Sequence, residues 1–110
     1  MYTVAKAVIA LGAFIAPSVA FSGDMTYYAP GLGACGNVNT ESDAVVAVSS
    51  SQDGNCGRTI NISYNGKTAS ATIVDECPGC PVGSIDVSPV VFEQLESLDA
   101  GRVQVTWEYA

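Results

Sequence analysis

Apolar and polar positions alternate along most of the chain with the period of a strand, and the departures from that period mark its turns and its single helix. Asp24 to Tyr28 reads as a brief strand. Ala29-Pro30-Gly31-Leu32-Gly33 is a turn-rich loop, and Ala44-Val45-Val46-Ala47-Val48 is a continuous apolar run suited to a buried strand. Ser49 to Gly57 is a polar loop. Two β-rich runs between Arg58 and Asp75 then flank Asn65-Gly66, the pair a type I′ turn demands because both central residues take positive φ. Pairing Tyr64 with Lys67 across that turn sets Ile62 opposite Ala69, Ile60 opposite Ala71 and Arg58 opposite Ile73. Ile60, Ile62, Ala69, Ala71 and Ile73 therefore share one face, Thr59, Asn61, Ser63, Thr68, Ser70 and Thr72 share the other, and Asp75 continues the apolar row.

Ser88-Pro89 predicts a helix start: the serine hydroxyl can accept an orphan backbone N–H, and proline has no N–H there to lose. Val91, Phe92, Leu95 and Leu98 lie on one side of that helix. Val103, Val105, Trp107 and Tyr109 alternate with Arg102, Gln104, Thr106 and Glu108 in a last, half-buried strand, which assigns Trp107 to the core. About six strands and one short helix predict an all-β fold, a closed barrel, because closure removes exposed strand edges.

Residues 1–20 stand outside this pattern. Lys6 gives a basic start, Ala7 to Ala16 is an uncharged apolar run, and Ser18-Val19-Ala20 supplies small residues where a signal peptidase reads, so the segment is predicted to be a secretion signal. It is too short to span a membrane as a helix. Residues 21–110 then form one domain that keeps 3 basic against 11 acidic residues, a net charge of −8. Such a domain is expected outside the cell as a monomer, with no nucleic-acid partner, whose phosphates it would repel, and no membrane. The chain has no histidine, which excludes Ser/His triads, His-ligated zinc and histidine general bases.

A domain this small buries little surface, and four cysteines in an oxidising compartment are the usual remedy. They allow three pairings. Cys77 and Cys80 flank a Pro-Gly turn and can close on each other, in which case Cys35 and Cys56 close a loop worth roughly 3 kcal/mol on the chain-entropy model. A redox role for Cys77-x-x-Cys80 is disfavoured because a thioredoxin-like motif opens a helix in a βαβ setting, whereas this one follows a strand and runs into Pro81. A four-cysteine zinc site lacks the second Cys-x-x-Cys it would need, so no metal and no cofactor is implied. Asn61-Ile62-Ser63 is an N-glycosylation sequon with its asparagine on the polar face.

The candidate chemistry lies in Thr72 to Cys80 and the Ser84-Ile85-Asp86-Val87-Ser88-Pro89 that follows. Asp75 and Asp86 sit at element ends, where side chains reach clefts, and a carboxylate closing a buried row is either hydrogen-bonded structure or a site whose pKa is raised by desolvation.

The series Thr26-Tyr27-Tyr28, Gly33-Ala34-Cys35-Gly36, Asn55-Cys56-Gly57, Val74-Asp75-Glu76-Cys77-Pro78-Gly79-Cys80 and Ile85-Asp86-Val87-Ser88-Pro89-Val90-Val91-Phe92 resembles the double-psi β-barrel of the expansin-like and loosenin group. The motifs span essentially all of residues 21–110. The resemblance implies a six-stranded double-psi barrel with a shallow polysaccharide-binding groove, and it supports pairing Cys35 with Cys56. Thr26, Tyr28, Asp75 and Asp86 match expansin groove residues, while Ser84-Ile85-Asp86 stands where expansins commonly have His-Phe-Asp.

Barwin-like endoglucanases share this barrel, and Asp86 matches their general acid, a role needing a raised pKa. Where their base falls, this chain has Ala29 and Pro30, and glycoside hydrolysis needs a second carboxyl to activate water or attack. Asp75 is the substitute on offer. The peptidoglycan-cleaving rare lipoprotein A group relies on a histidine absent here. Other small secreted barrels of the family resemble inhibitors of cysteine proteases that act through loops around the disulfides. The leading expectation is a secreted protein that binds cellulose, chitin or peptidoglycan and loosens it without hydrolysis. Tyr28, with Tyr27, would lay a ring on a sugar face while Asp75 and Asp86 hydrogen-bond hydroxyls. A secreted protein target is the alternative.

Overall fold

The computed structural model describes residues 19–52 and 54–110; the secretion signal predicted over residues 1–20 lies, but for its last two residues, outside them. Six strands are present: β1 (Phe21–Tyr27), β2 (Val45–Ser49), β3 (Thr59–Tyr64), β4 (Lys67–Cys77), β5 (Ile85–Val87) and β6 (Val103–Tyr109). One helix, α1 (Pro89–Leu95), follows β5. The strands close into a barrel in the order β1-β5-β2-β4-β3-β6. The β1–β5 and β2–β4 pairs are parallel and the other four antiparallel, so this is the all-β double-psi barrel with a short helix that the motifs implied.

The β3–β4 hairpin has the expected register, Tyr64 with Lys67, Ile62 with Ala69 and Ile60 with Ala71. Its turn residues Asn65 and Gly66 both take positive φ, 49° and 80°, as a type I′ turn requires. At the far end the ladder departs from simple pairing. The Gly57 amide donates to the Ile73 carbonyl while the Ile73 amide donates to the Arg58 carbonyl, so two residues oppose one, with Gly57 at φ 84° as in a G1 bulge.

Ile60, Ile62, Ala69, Ala71 and Ile73 all enter the core, joined by Met25, Val46, Val48, Ile85, Val87 and Val105. The α1 residues Val91, Phe92 and Leu95 seal one side of that core. Trp107 is 1% exposed, stacks on Phe21 with ring centroids 4.5 Å apart, and donates its indole N–H to the Gly83 carbonyl at 2.8 Å. A buried indole with its one donor satisfied is core, as the alternation indicated.

The structure departs from the sequence pattern in several places, and α1 ends at Leu95, so Leu98 lies beyond it in a 3-10 turn. Ser88 does precede α1, but its hydroxyl makes no cap bond; its Oγ instead accepts from the Val45 amide at 3.3 Å, and its own amide donates to the Val45 carbonyl. The serine therefore ties the helix start to β2, and Pro89 at the first helical position removes one donor that would have needed a cap. Asp75, moreover, does not continue the apolar row. Val46 pairs with Ile73 but Ala47 pairs with Asp75, so Val74 is an extra residue on β4 and every side chain beyond it changes face.

The Pro81–Ser84 turn closes against β1. Gly83 has φ 94°, and a Cβ there would overlap the Ser22 carbonyl oxygen. Gly83→Ala is therefore expected to cost about 1–3 kcal/mol for the backbone conformation alone. Gly31→Ala, with open space around its Cβ, stays within about 0.5 kcal/mol of wild type. Urea midpoints of the two variants check this, and equal midpoints would contradict the packing described.

Candidate functional site

The β4 bulge creates a row of outward side chains across four neighbouring strands. Thr26 pairs with Asp86, Asp86 with Ala47, and Ala47 with Asp75. Ala47 contributes only a methyl group and is 2% exposed, so no long side chain separates the two carboxylates. Their backbones lie two strand spacings apart, about 10 Å. The Thr26 hydroxyl donates to Asp86 Oδ1 at 2.9 Å. Tyr28, just past the end of β1, donates its phenol to Asp75 Oδ2 at 3.4 Å and so bridges the two ends of the row.

The two aspartates are held differently. Asp75 Oδ1 accepts from the backbone amides of Ala34 and Glu76, both at 2.8 Å. The loop that delivers Ala34 is fixed to the bulge itself: the Cys35 amide donates to the Val74 carbonyl at 3.1 Å, and a Cβ on Gly33 would overlap that same carbonyl oxygen. The Cys35–Cys56 disulfide, with Cα atoms 5.7 Å apart, anchors this loop to the segment before β3. Asp75 thus holds the loop and the bulge with one oxygen and the Tyr28 phenol with the other.

Among the described residues no backbone amide donates to Asp86, whose side-chain partner is the Thr26 hydroxyl. Partial burial pushes its pKa up, opposed by the Thr26 hydrogen bond and the Arg102 charge and reinforced by the Asp75 charge. Burial, then the charges of Asp75 and Asp86, also push the Tyr28 phenol well up, so it stays a proton donor at neutral pH.

Tyr27 faces the other way. Its ring meets Phe92 edge-on, centroids 4.9 Å apart, and its hydroxyl donates to the Leu98 carbonyl at 3.0 Å. The structure therefore brings Thr26, Tyr28, Asp75 and Asp86 together and places Tyr27 against α1. Asn61 lies outside the row, half-exposed on β3, with its Oδ1 accepting from Ser70 at 2.8 Å. Cys77–Cys80, with Cα atoms 5.3 Å apart, closes the turn beside Thr26. Open pockets flank the row, about 390 Å³ at the Asp75 end and about 330 Å³ at the Thr26 end. Arg102, which sequence reasoning passed over, forms an ion pair with Asp24 at 3.0 Å next to the second pocket. Its signal was its outward phase in the last strand pattern. Among the described residues, no group of three or more His, Cys, Asp or Glu is arranged to hold a metal.

No family model matches the chain. It is 36% identical over 100 residues to a papain inhibitor of Streptomyces mobaraensis, covering 80% of this chain and 70% of that protein. It is 39% identical over 82 residues to an "Allergen Asp f 7 homolog" of Arthroderma benhamiae, covering 67% of this chain but only 28% of the relative's length. Among solved structures, a Streptomyces papain inhibitor superposes with a TM-score of 0.77 at 35% identity, covering 84% of this chain and 94% of that one. A mutant Clavibacter michiganensis expansin in complex with cellohexaose superposes with a TM-score of 0.75 at 25% identity, covering 84% and 50%.

The different anchoring of the two carboxylates has separable consequences. Asp75→Asn keeps an acceptor for the Ala34 and Glu76 amides but makes both bonds neutral instead of charge-assisted, costing about 1 kcal/mol and lowering the melting temperature by at least about 4 °C. Asp86, whose folded pKa is raised, contributes stability that is full below its unfolded value and is lost as pH rises through the folded value. Asp86→Asn removes that loss, so the variant should gain on wild type between about pH 4 and pH 7. Melting curves across that range decide; an Asp86→Asn variant that loses stability relative to wild type as pH rises would contradict the assignment.

Proposed function

The chain belongs to the expansin-like, barwin-related family of double-psi β-barrels, and on that premise we propose that it is a secreted protein that binds cell-wall polysaccharide along the Thr26–Asp86–Ala47–Asp75 row and loosens it without cleaving it. The observation that carries this reading is the row itself: half-buried hydroxyl and carboxylate groups lined up across four strands, over the buried methyl of Ala47, with a tyrosine at one end. Sugar hydroxyls are both donors and acceptors, so Asp86 and the outer oxygen of Asp75 receive their protons. The Tyr28 ring offers an apolar face to pyranose C–H groups. Contacts of this kind compete with the hydrogen bonds between packed glycan chains and break no covalent bond.

Hydrolysis fits the groove less well. Asp86 has the raised pKa a general acid needs, but a partner must be free to activate water or attack. Asp75 spends one oxygen on two backbone amides and the other on Tyr28, which leaves it poorly placed for that task. Ala29 and Pro30 stand where barwin-like endoglucanases carry their base.

A second reading, inhibition of a papain-like cysteine protease, draws on the 36% identity with the papain inhibitor over most of both chains. One surface feature suits it. Leu32 and Val38, 74% and 75% exposed, face each other across an isolated bridge in the loop that Cys35–Cys56 tethers. The bonds from Gly33 N to Asn37 O and from Asn39 N to Gly31 O make them a non-hydrogen-bonded pair, the arrangement that sets two side chains closest.

The oxidised domain is to be incubated with insoluble cellulose, chitin and peptidoglycan, with released sugars and papain activity measured alongside. Retention on one or more polymers, no soluble sugar, and retention reduced severalfold by Asp86→Asn is the expected result. Sugar release would make it a glycosidase. Papain inhibition with no retention on any polymer would transfer the function to the Leu32–Val38 loop.

A further inference from the structure

The row does not stop at Thr26. The last β1–β6 pair is Met25 with Val103, so the next register position sets Thr26 opposite Arg102, and the line Asp75–Ala47–Asp86–Thr26 continues to Arg102 at the start of β6. Five positions at one strand spacing each span about 19 Å, a length that suits several linked sugar rings. At this end lies the pocket of about 330 Å³ framed by Asp24, Thr26, Ser84 and Arg102, with the Cys77–Cys80 turn and Pro81 as its wall.

We infer that this pocket is a second saccharide subsite, continuous with the Asp75–Asp86 groove, in which Arg102 and Asp24 hold the hydroxyls of a pyranose ring against the Cys77–Cys80 turn; the inference rests on the polysaccharide-binding reading above. The polar groups there are fixed before any ligand arrives. The Asp24 amide is held by Ser84 Oγ at 3.2 Å, and its carboxylate takes Arg102 Nη1 at 3.0 Å and the Gln104 amide. One guanidinium nitrogen serves that pair. The others, on a side chain that is 65% exposed, are free to donate to ligand hydroxyls in a planar fork. The Cys77–Cys80 disulfide and Pro81 line the same pocket and offer it an apolar wall. A polar rim facing an apolar wall matches a pyranose, whose hydroxyls lie around its edge and whose C–H bonds lie on its faces.

Thr26 links the two halves. Its hydroxyl bonds to Asp86 while its side chain lines the pocket, so a glycan seated in the groove runs past Thr26 onto Arg102 without leaving the row. The Arg102 charge also lies close enough to Asp86 to act on its ionisation, which places both within reach of neighbouring sugar units.

The test is the length dependence of binding, read by calorimetry with cello- and chito-oligosaccharides of four and six units. Wild type should bind the hexasaccharide of its preferred series about tenfold more tightly than the tetrasaccharide. Arg102→Ala and Asp24→Ala should each reduce hexasaccharide affinity severalfold, to near the tetrasaccharide level, with a much smaller change in tetrasaccharide affinity. Arg102→Lys, which keeps the charge and loses the fork, should recover only part of the gain. Equal affinity of wild type for both lengths, or a full gain retained by Arg102→Ala, would overturn the subsite while leaving the central groove standing. Failure of every oligosaccharide to bind would overturn the groove reading and the subsite together.

Discussion

One extra residue on β4 decides what this barrel presents to solvent. Val46 pairs with Ile73 and Ala47 with Asp75, leaving Val74 without an opposite number, and the slip carries Asp75 out of the barrel's inner phase. Without it the carboxylate would be aimed at Val46 and Val48, where an unpaired charge is costly. With it, Asp75 joins Asp86 and Thr26 on a continuous outward line. The bulge is held by contacts from far along the chain. The carbonyl it frees takes the Cys35 amide, Gly33 packs on it as only glycine can, and the Cys35–Cys56 disulfide restrains both.

This arrangement gives a pair of chemically identical side chains very different support. Asp75 satisfies two backbone amides of the loop and strand that form the bulge, so it stabilises the geometry that exposes it. Asp86 has a single hydroxyl donor and partial burial, which leave its carboxyl more easily protonated than usual and its ionised form at a cost near neutral pH. A group kept at a cost to stability in a small disulfide-stapled domain is where function is expected. Tyr28 bonds to Asp75 at one end of the row, and a polar pocket lies past Thr26 at the other.

Much of this was legible in the sequence, and the parts that were not share a cause. Asn65-Gly66 fixed the hairpin register because the turn's φ requirement is local, and the alternation from Val103 to Tyr109 placed Trp107 in the core for the same reason. The β4 bulge carries no such mark: Ile73 and Val74 are both apolar and β-branched, and what selects the slipped phase is a carbonyl captured by a loop some forty residues earlier. Ser88-Pro89 signalled the helix start correctly, but the hydroxyl went to the Val45 amide because the parallel-paired barrel brings β2 there. β5 has three residues, too few for a period to show, so the sequence pattern assigned no strand there and marked only the motif around Asp86. Tyr27 and Tyr28 are adjacent and therefore point to opposite faces, so only one of them belongs to the groove.

A glycan bound along the row would touch a defined set of residues. Amide chemical-shift mapping of the ¹⁵N-labelled domain, titrated with cellohexaose and then with chitohexaose, reads that surface residue by residue. Shifts confined to Thr26, Tyr28, Asp75, Asp86, Arg102 and their neighbours are the predicted result. Shifts that leave this row untouched, or none with either sugar alongside a papain-induced footprint centred on Leu32 and Val38, would contradict it.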